Sequence, residues 1–202
     1  MQFKQFGNVD IDVEKMGIDM LSLSGHKIYA PKGVGALYIK EGIKINSFLN
    51  GGHQEFNKRA GTENVASIVG LGKACELAKK FINIHNKRLV EYRNYIFKEV
   101  SKNISNVKIN GSIEKRLPGN CNFSFEDIES GELLLRLDEI GICASGGSAC
   151  SSNSESISHV LKAIGVNDKL AKGALRITLG DFNTREDVEF LVKALKYIIN
   201  NH

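Results

Sequence analysis

Ser24-Gly25-His26-Lys27-Ile28-Tyr29-Ala30-Pro31-Lys32-Gly33-Val34-Gly35-Ala36-Leu37-Tyr38 is the stretch on which the reading of the chain turns. Before it, Ile18-Asp19-Met20-Leu21-Ser22-Leu23 is short and apolar enough for a strand. After it, Val34 to Ile39 is almost wholly apolar and suits a strand buried on both faces. The turn between them holds a Ser, a His and a Lys, then Pro and Gly punctuation. A lysine held between two buried strands is rigid and partly dehydrated, a setting that favours a nucleophilic amine able to form a Schiff base. From these residues alone the segment reads equally well as a solvated turn that carries His26 and Lys27.

Outward from this stretch the period changes twice. Asp10 to Gly17 is polar, one helical turn at most, and Glu41 to Gly52 reads as strand end and loop. Val65, Ile68, Val69, Cys75, Ala78 and Ile82 share one helical face, and Leu89, Tyr92, Ile96 and Val100 continue the pattern, as one long helix or two in line. Val107-Lys108-Ile109 is a brief strand, Arg116 to Asn120 a turn, and Cys121 to Phe125 a clean alternating strand. Gly131 to Ile140 is an amphipathic helix with Leu133, Leu134 and Leu137 inward. Ile157, Val160, Leu161 and Ile164 predict another, closed by Gly165. Leu175, Ile177 and Leu179 alternate with Arg176 and Thr178. Thr184-Arg185-Glu186-Asp187 opens the last helix with a capping-box pattern, and Val188, Leu191, Val192, Leu195, Ile198 and Ile199 form its stripe.

At 202 residues the chain is long enough for one large or two small domains. Its net charge of +4, from 27 basic and 23 acidic residues, is too mild to argue for nucleic acid or a membrane surface. No apolar run spans a bilayer, and Met1-Gln2-Phe3-Lys4-Gln5-Phe6 is no signal peptide, so the cytoplasm is the expected location. The four cysteines, Cys75, Cys121, Cys143 and Cys150, form no C-x-x-C pair, which argues against a metal site built from this chain alone and against a disulfide framework. Cys75 and Cys121 read as packing residues. Cys150 lies among Ser and Gly.

The lysine stretch resembles the cofactor-lysine segment of cysteine desulfurases, fold-type I pyridoxal-phosphate (PLP) enzymes of the class V aminotransferase group. Two more blocks resemble the same family in the same order: Gly51-Gly52-His53-Gln54-Glu55 with Arg59-Ala60-Gly61-Thr62-Glu63-Asn64, and Ala144-Ser145-Gly146-Gly147-Ser148-Ala149-Cys150-Ser151-Ser152. The resemblance runs from about Phe6 to the last helix. It implies an α/β fold: the C-terminal part of a PLP-transferase large domain over residues 1–64, a long bridging helix over 65–104, and an α+β small domain over 105–202.

The resemblance also implies roles. Lys27 would carry PLP and move protons at the substrate α-carbon. Ser24 and His26 match positions that bind the cofactor phosphate, chemistry that suits a hydroxyl and an imidazole. Thr62 matches a threonine that reaches the phosphate of the neighbouring subunit of a dimer, and Arg59 lies by the site. Thr62 also reads as an N-cap for the long helix. Arg176 matches the arginine that holds the substrate carboxylate; otherwise it reads as a solvated edge-strand residue. By spacing alone Cys150 is an idle exposed thiol, whereas the matching Gly-Ser-Ala-Cys string implies the nucleophile that takes sulfur from L-cysteine as a persulfide, leaving L-alanine.

Three features depart from the family. Its chains are about twice this length, so the resemblance implies a C-terminal half. Met1 falls where the family has the aspartate that pairs with the pyridinium nitrogen, and Lys4 where it has a glutamine at the phenolic oxygen. Gly180-Asp181-Phe182 replaces a usual Gly-Arg-Phe. Two functions follow as expectations. One is a desulfurase half, working as a homodimer or with a complementing N-terminal half and feeding an iron–sulfur scaffold or tRNA-thiolation protein. The other is a catalytically silent module that binds partners or only carries sulfur.

Overall fold

The computed structural model describes residues 2–3, 9–146 and 157–202. The chain divides into two units, residues 1–83 and 84–202.

In the first unit, β1 (Gln2–Phe3), β2 (Met20–Ser24) and β3 (Gly35–Ile39) form a sheet in that order. β1 runs parallel to β2, while β3 runs antiparallel, with Met20 opposite Ile39 and Ser24 opposite Gly35. The strands β2 and β3 flank a 3-10 turn, η1 (Gly25–Ile28). A single turn, α1 (Gln54–Asn57), has left-handed backbone at Glu55, Phe56 and Asn57.

The long helix α2 is one element, Val65–Asn103, 39 residues without a proline. Its residues 65–83 belong to the first unit and 84–103 to the second. Leu71 and Ala74 bury against Ile28 and Ala30, with Leu23, Val34 and Cys75 at the margin. Gly70 permits this approach, since a Cβ there would stand 3.0 Å from the Pro31 ring.

Three expectations need correction in this unit. The strand after the lysine turn is not buried on both faces: Gly35, Ala36 and Leu37 are exposed, and Tyr38 and Ile39 are half-buried. β3 is an edge strand of its sheet. Second, Val65, Ile68 and Val69 of α2 are exposed, the buried face being that of Leu71 and Ala74. Third, Thr62 is not the N-cap. The Asn64 side-chain oxygen accepts the Ser67 N–H at 3.3 Å and fills that place.

The second unit is built on an antiparallel sheet in the order β4 (Val107–Ile109), β5 (Asn120–Phe125), β6 (Ala174–Thr178). Its helices, besides the end of α2, are α3 (Ser130–Asp138), α4 (His159–Ala163), α5 (Asp168–Lys172) and α6 (Arg185–Asn200). Alternation along β5 and β6 sends Cys121, Phe123, Phe125, Leu175 and Ile177 into one core with Ile96, Val100, Leu133, Leu137, Val188 and Leu195. Phe97 meets Phe123 edge-on with ring centroids 5.5 Å apart, and Phe125 stacks on Phe123 at 5.9 Å.

The Thr184–Asp187 capping box is present in both directions, at 2.9 and 3.2 Å. Of the stripe expected here only Leu161 is buried; Val160 in α4 and Ile164 just after it are exposed. The short α5, capped by Asn167, was not foreseen. Among the described residues no helix is long and apolar enough to cross a membrane.

Candidate active site

The lysine turn is fixed from beneath. The Gly25 N–H donates to the Val34 carbonyl at 2.8 Å, and the Ala30 N–H to the Gly25 carbonyl at 3.1 Å. Gly25, Ile28 and Ala30 are buried, whereas His26, Lys27 and Tyr29 are exposed. A Cβ on Gly25 would lie 2.9 Å from both Val34 Cγ1 and the Val34 carbonyl oxygen, so only glycine fits there. The expected dehydration of Lys27 is therefore corrected. The turn buries Ile28 and Ala30 against Leu71 and Ala74 of α2 and leaves the amine exposed.

The second block forms a loop of its own in the same unit. The Gln54 side-chain oxygen accepts the Gly61 N–H at 3.1 Å, and the Ala60 N–H donates to the Leu49 carbonyl at 3.2 Å. Arg59 donates from Nη1 to the Ala60 carbonyl at 2.9 Å, and His53 Nδ1 lies 2.6 Å from Asn57 Oδ1. Arg59 and Thr62 are both exposed.

Arg176 belongs to the second unit, half-buried in the middle of β6 opposite Asn122. Its other backbone edge is paired: the Arg176 N–H donates to the Ser145 carbonyl at 2.6 Å, and the Ser145 N–H returns to the Arg176 carbonyl at 3.1 Å. Arg176 is thus not on a bare edge. Gly146 follows with no room for a side chain, because a Cβ would collide with Ser130 Oγ at the start of α3. Cys150 lies outside the described residues, as do Met1 and Lys4. The structure thus brings Ser24, His26 and Lys27 into one turn, places Arg59 and Thr62 in a second loop of that unit, and sets Arg176 in the other unit.

Sequence reasoning left Asp181 without a role, and the structure supplies partners. Its carboxylate lies 3.0 Å from His85 Nδ1, and its carbonyl accepts Arg88 Nη2 at 2.7 Å. The signal was present in the i, i+3 spacing of His85 and Arg88 on α2, one face of a helix. What they meet is about 93 residues away along the chain.

The described thiols differ in surroundings. Cys121 is buried, and burial pushes its thiol up to about 12, with Arg116 and Arg93 pulling the other way. Burial also raises Cys75, while Cys143 is exposed.

The donor set of the lysine turn fits a phosphate-bearing aldehyde. A hydroxyl and an imidazole can donate to phosphate, and a primary amine on the exposed face can condense with a carbonyl.

The family model for aminotransferase class V matches residues 3–191. The chain is 51% identical over 193 residues to cysteine desulfurase IscS of Dictyoglomus turgidum, covering 96% of this chain and 49% of that protein. It is 49% identical to cysteine desulfurase IscS of Methanosarcina thermophila, covering 96% of this chain and 48% of the other. Among solved structures, a NifS-like protein superposes with a TM-score of 0.87 at 32% identity, over 98% of this chain and 50% of that one. The chain spans about half the length of the curated relatives it matches.

Proposed function

The chain belongs to the aminotransferase class-V family, and from that premise we propose that it is the cofactor-lysine and small-domain portion of a PLP-dependent cysteine desulfurase. The observation that carries this reading is the lysine turn, which buries Gly25, Ile28 and Ala30 and presents His26 and Lys27 outward. Ser24 and His26 would hold the phosphate of PLP, and Lys27 would join the cofactor through its amine. PLP, when bound, supplies an electron sink for the substrate α-carbon. Lys27 would also move a proton at that carbon. Arg176 holds the carboxylate of L-cysteine, and Arg59 adds positive charge beside the site. Thr62 completes the phosphate site of a second subunit. The Cys150 thiolate would attack the substrate sulfur: an S–S bond forms, the substrate C–S bond breaks, its electron pair goes to the carbon fragment, and the β-carbon takes up a proton so that the skeleton leaves as alanine.

The partners that fit this chemistry are a second copy or a complementing N-terminal half, and a cytoplasmic sulfur-acceptor protein of iron–sulfur assembly or tRNA thiolation. The organisation proposed is a large-domain portion at 1–64, a bridging helix at 65–104 and a small domain at 105–202. A second reading, a catalytically silent module, is favoured by Met1 and Lys4 at the positions matching the family's ring contacts.

Borohydride trapping of PLP followed by peptide mapping tests the first reading. Label is expected on Lys27, and label on Lys32 with none on Lys27 would overturn it. In the assembled enzyme, Cys150→Ser is expected to abolish persulfide formation, read by mass-tagging after cysteine is added, while Cys143→Ser leaves it intact. The silent module instead predicts no persulfide in any assembly.

A further inference from the structure

We infer that Asn122 is a further substrate-contacting residue, its side-chain amide donating to the same carboxylate that Arg176 holds. The inference rests on the reading of Arg176 as the carboxylate arginine.

Backbone pairing brings the two side chains together. Asn122 lies directly opposite Arg176 in the antiparallel pair of β5 and β6, so both project from one face of the sheet. The N–H and the carbonyl of Arg176 both pair with Ser145, on its other side. Asn122 and Arg176 are therefore a non-hydrogen-bonded pair, the closer of the two kinds, with Cα atoms roughly 4.5 Å apart. Cys121 and Phe123, which flank Asn122 in β5, enter the core. The face that Asn122 shares with Arg176 is thus the one turned away from the core, and both residues are half-buried.

The other arginines of this unit spend their guanidinium groups within the protein. Arg88 donates to the Asp181 carbonyl, Arg93 to the Leu117 carbonyl and to Asn94 Oδ1, and Arg116 to the Ser112 carbonyl and to Asn120 Oδ1. Arg136 pairs with Glu132 and Arg185 with Glu189. Arg176 makes no side-chain hydrogen bond or ion pair among the described residues. A half-buried guanidinium without an acceptor suits an anionic ligand.

Asn122 is held in a matching way. Asn110, 2% exposed, donates from Nδ2 to Asn122 Oδ1 at 2.8 Å and to Ser124 Oγ at 2.9 Å. Asn110 commits both N–H groups while its own buried oxygen stays without a partner among the described residues, a cost of the arrangement that fixes Asn122. With its oxygen taken by Asn110, the Asn122 amide has its Nδ2 N–H groups left to donate, and among the described residues they donate to nothing. A carboxylate carries two oxygens with about four acceptor sites, enough for the Arg176 fork and the Asn122 amide together.

The test is nitrogen-edited NMR on the full chain, titrated with L-alanine as the probe and with ethylamine as the same amine lacking a carboxylate. The Asn122 side-chain amide and the Arg176 Nε–H are expected to shift with L-alanine along one saturable curve, and neither with ethylamine. Asn122→Ala should raise the half-saturating L-alanine concentration about tenfold, the loss of one hydrogen bond to a charged group, while the Arg176 shift persists. A shift at Arg176 without one at the Asn122 amide overturns the inference and leaves the reading of Arg176 standing, and it needs no substitution to be seen. An unchanged half-saturation in Asn122→Ala overturns the inference as well. The absence of any carboxylate-dependent shift at Arg176 overturns both.

Discussion

The two units spend their apolar side chains differently. Among the described residues of 84–202, a core of 21 buried residues runs from Leu89 to Ile199. In residues 1–83 the matching cluster is four residues, Ile28, Ala30, Leu71 and Ala74, while Leu37, Phe48, Phe56, Val65 and Val69 are exposed. Phe48 and Phe56 are 94% and 87% exposed. The second unit closes its sheet with its own helices. The first carries the lysine turn and the Arg59–Thr62 loop on a scaffold whose apolar surface is largely uncovered. Exposed apolar area of this kind marks a surface that another body covers, or one that associates. The unit that holds the lysine turn and the Arg59–Thr62 loop is therefore the one that stands less well alone.

Hydrogen exchange gives the largest contrast. Amides of β5, β6 and α6 are expected to exchange orders of magnitude more slowly than those of residues 18–40, because opening the second unit exposes its whole core. Equal or greater protection in residues 18–40 of a monomeric sample would break the comparison.

Core truncations follow. Phe123→Ala, at 0% exposure between Phe97 and Phe125, is expected to cost about 3–5 kcal/mol in urea unfolding. Leu71→Ala in the small cluster should fall near the low end of the range for such changes, about 2 kcal/mol, since its surroundings can collapse. A larger loss at Leu71 than at Phe123 would reverse the ranking.

A smaller effect belongs to the capping box of α6. Thr184→Ala removes the oxygen that accepts the Asp187 N–H and should lower stability by about 1 kcal/mol. A transition unchanged in urea would show that the helix is held by its buried stripe alone.

A pH dependence, spread over the alkaline range, adds to these. Cys121 is raised by burial from 9.0 to about 12. The unfolded chain releases this proton near pH 9, while the folded chain keeps it. The contribution is present in full below pH 9 and is lost as pH rises from there towards about 12. Cys121→Ala should flatten the alkaline slope of unfolding by at most one proton's worth, about 1.4 kcal/mol per pH unit, and an unchanged slope would contradict this. In the folded parent, Cys143 should react with a thiol reagent and Cys121 should not.

Much of the second unit was legible in the residues. The alternation of Cys121, Phe123 and Phe125, and of Leu175 and Ile177, is a local pattern that survives folding, because both strands bury one face. The stripe of α6 and its capping box are equally local, each made by residues within a turn or two of one another. The lysine turn was legible as chemistry, since Ser24, His26 and Lys27 stand together in the chain before they stand together in space.

The misreadings cluster where burial depends on a distant segment. An apolar strand such as Gly35–Ile39 can be central or at an edge, and only strand order decides which. The apolar residues of α2 fall on more than one side of the helix, and the position of Ile28 and Ala30 selects Leu71 and Ala74 over Val65 and Val69. Asp181, a bare departure from a motif in the sequence, acquires His85 and Arg88 because α2 passes beside the loop after β6.

By itself, then, the sequence determined the main elements of this protein, the capping box of α6 and the chemical character of its three glycine-rich segments, all of which depend on neighbours along the chain. The tertiary structure alone decided the edge strand, the buried face of α2, the Ser145–Arg176 pairing and the exposure of Lys27. Each of these depends on which remote backbone or side chain lies alongside, and no local period encodes that.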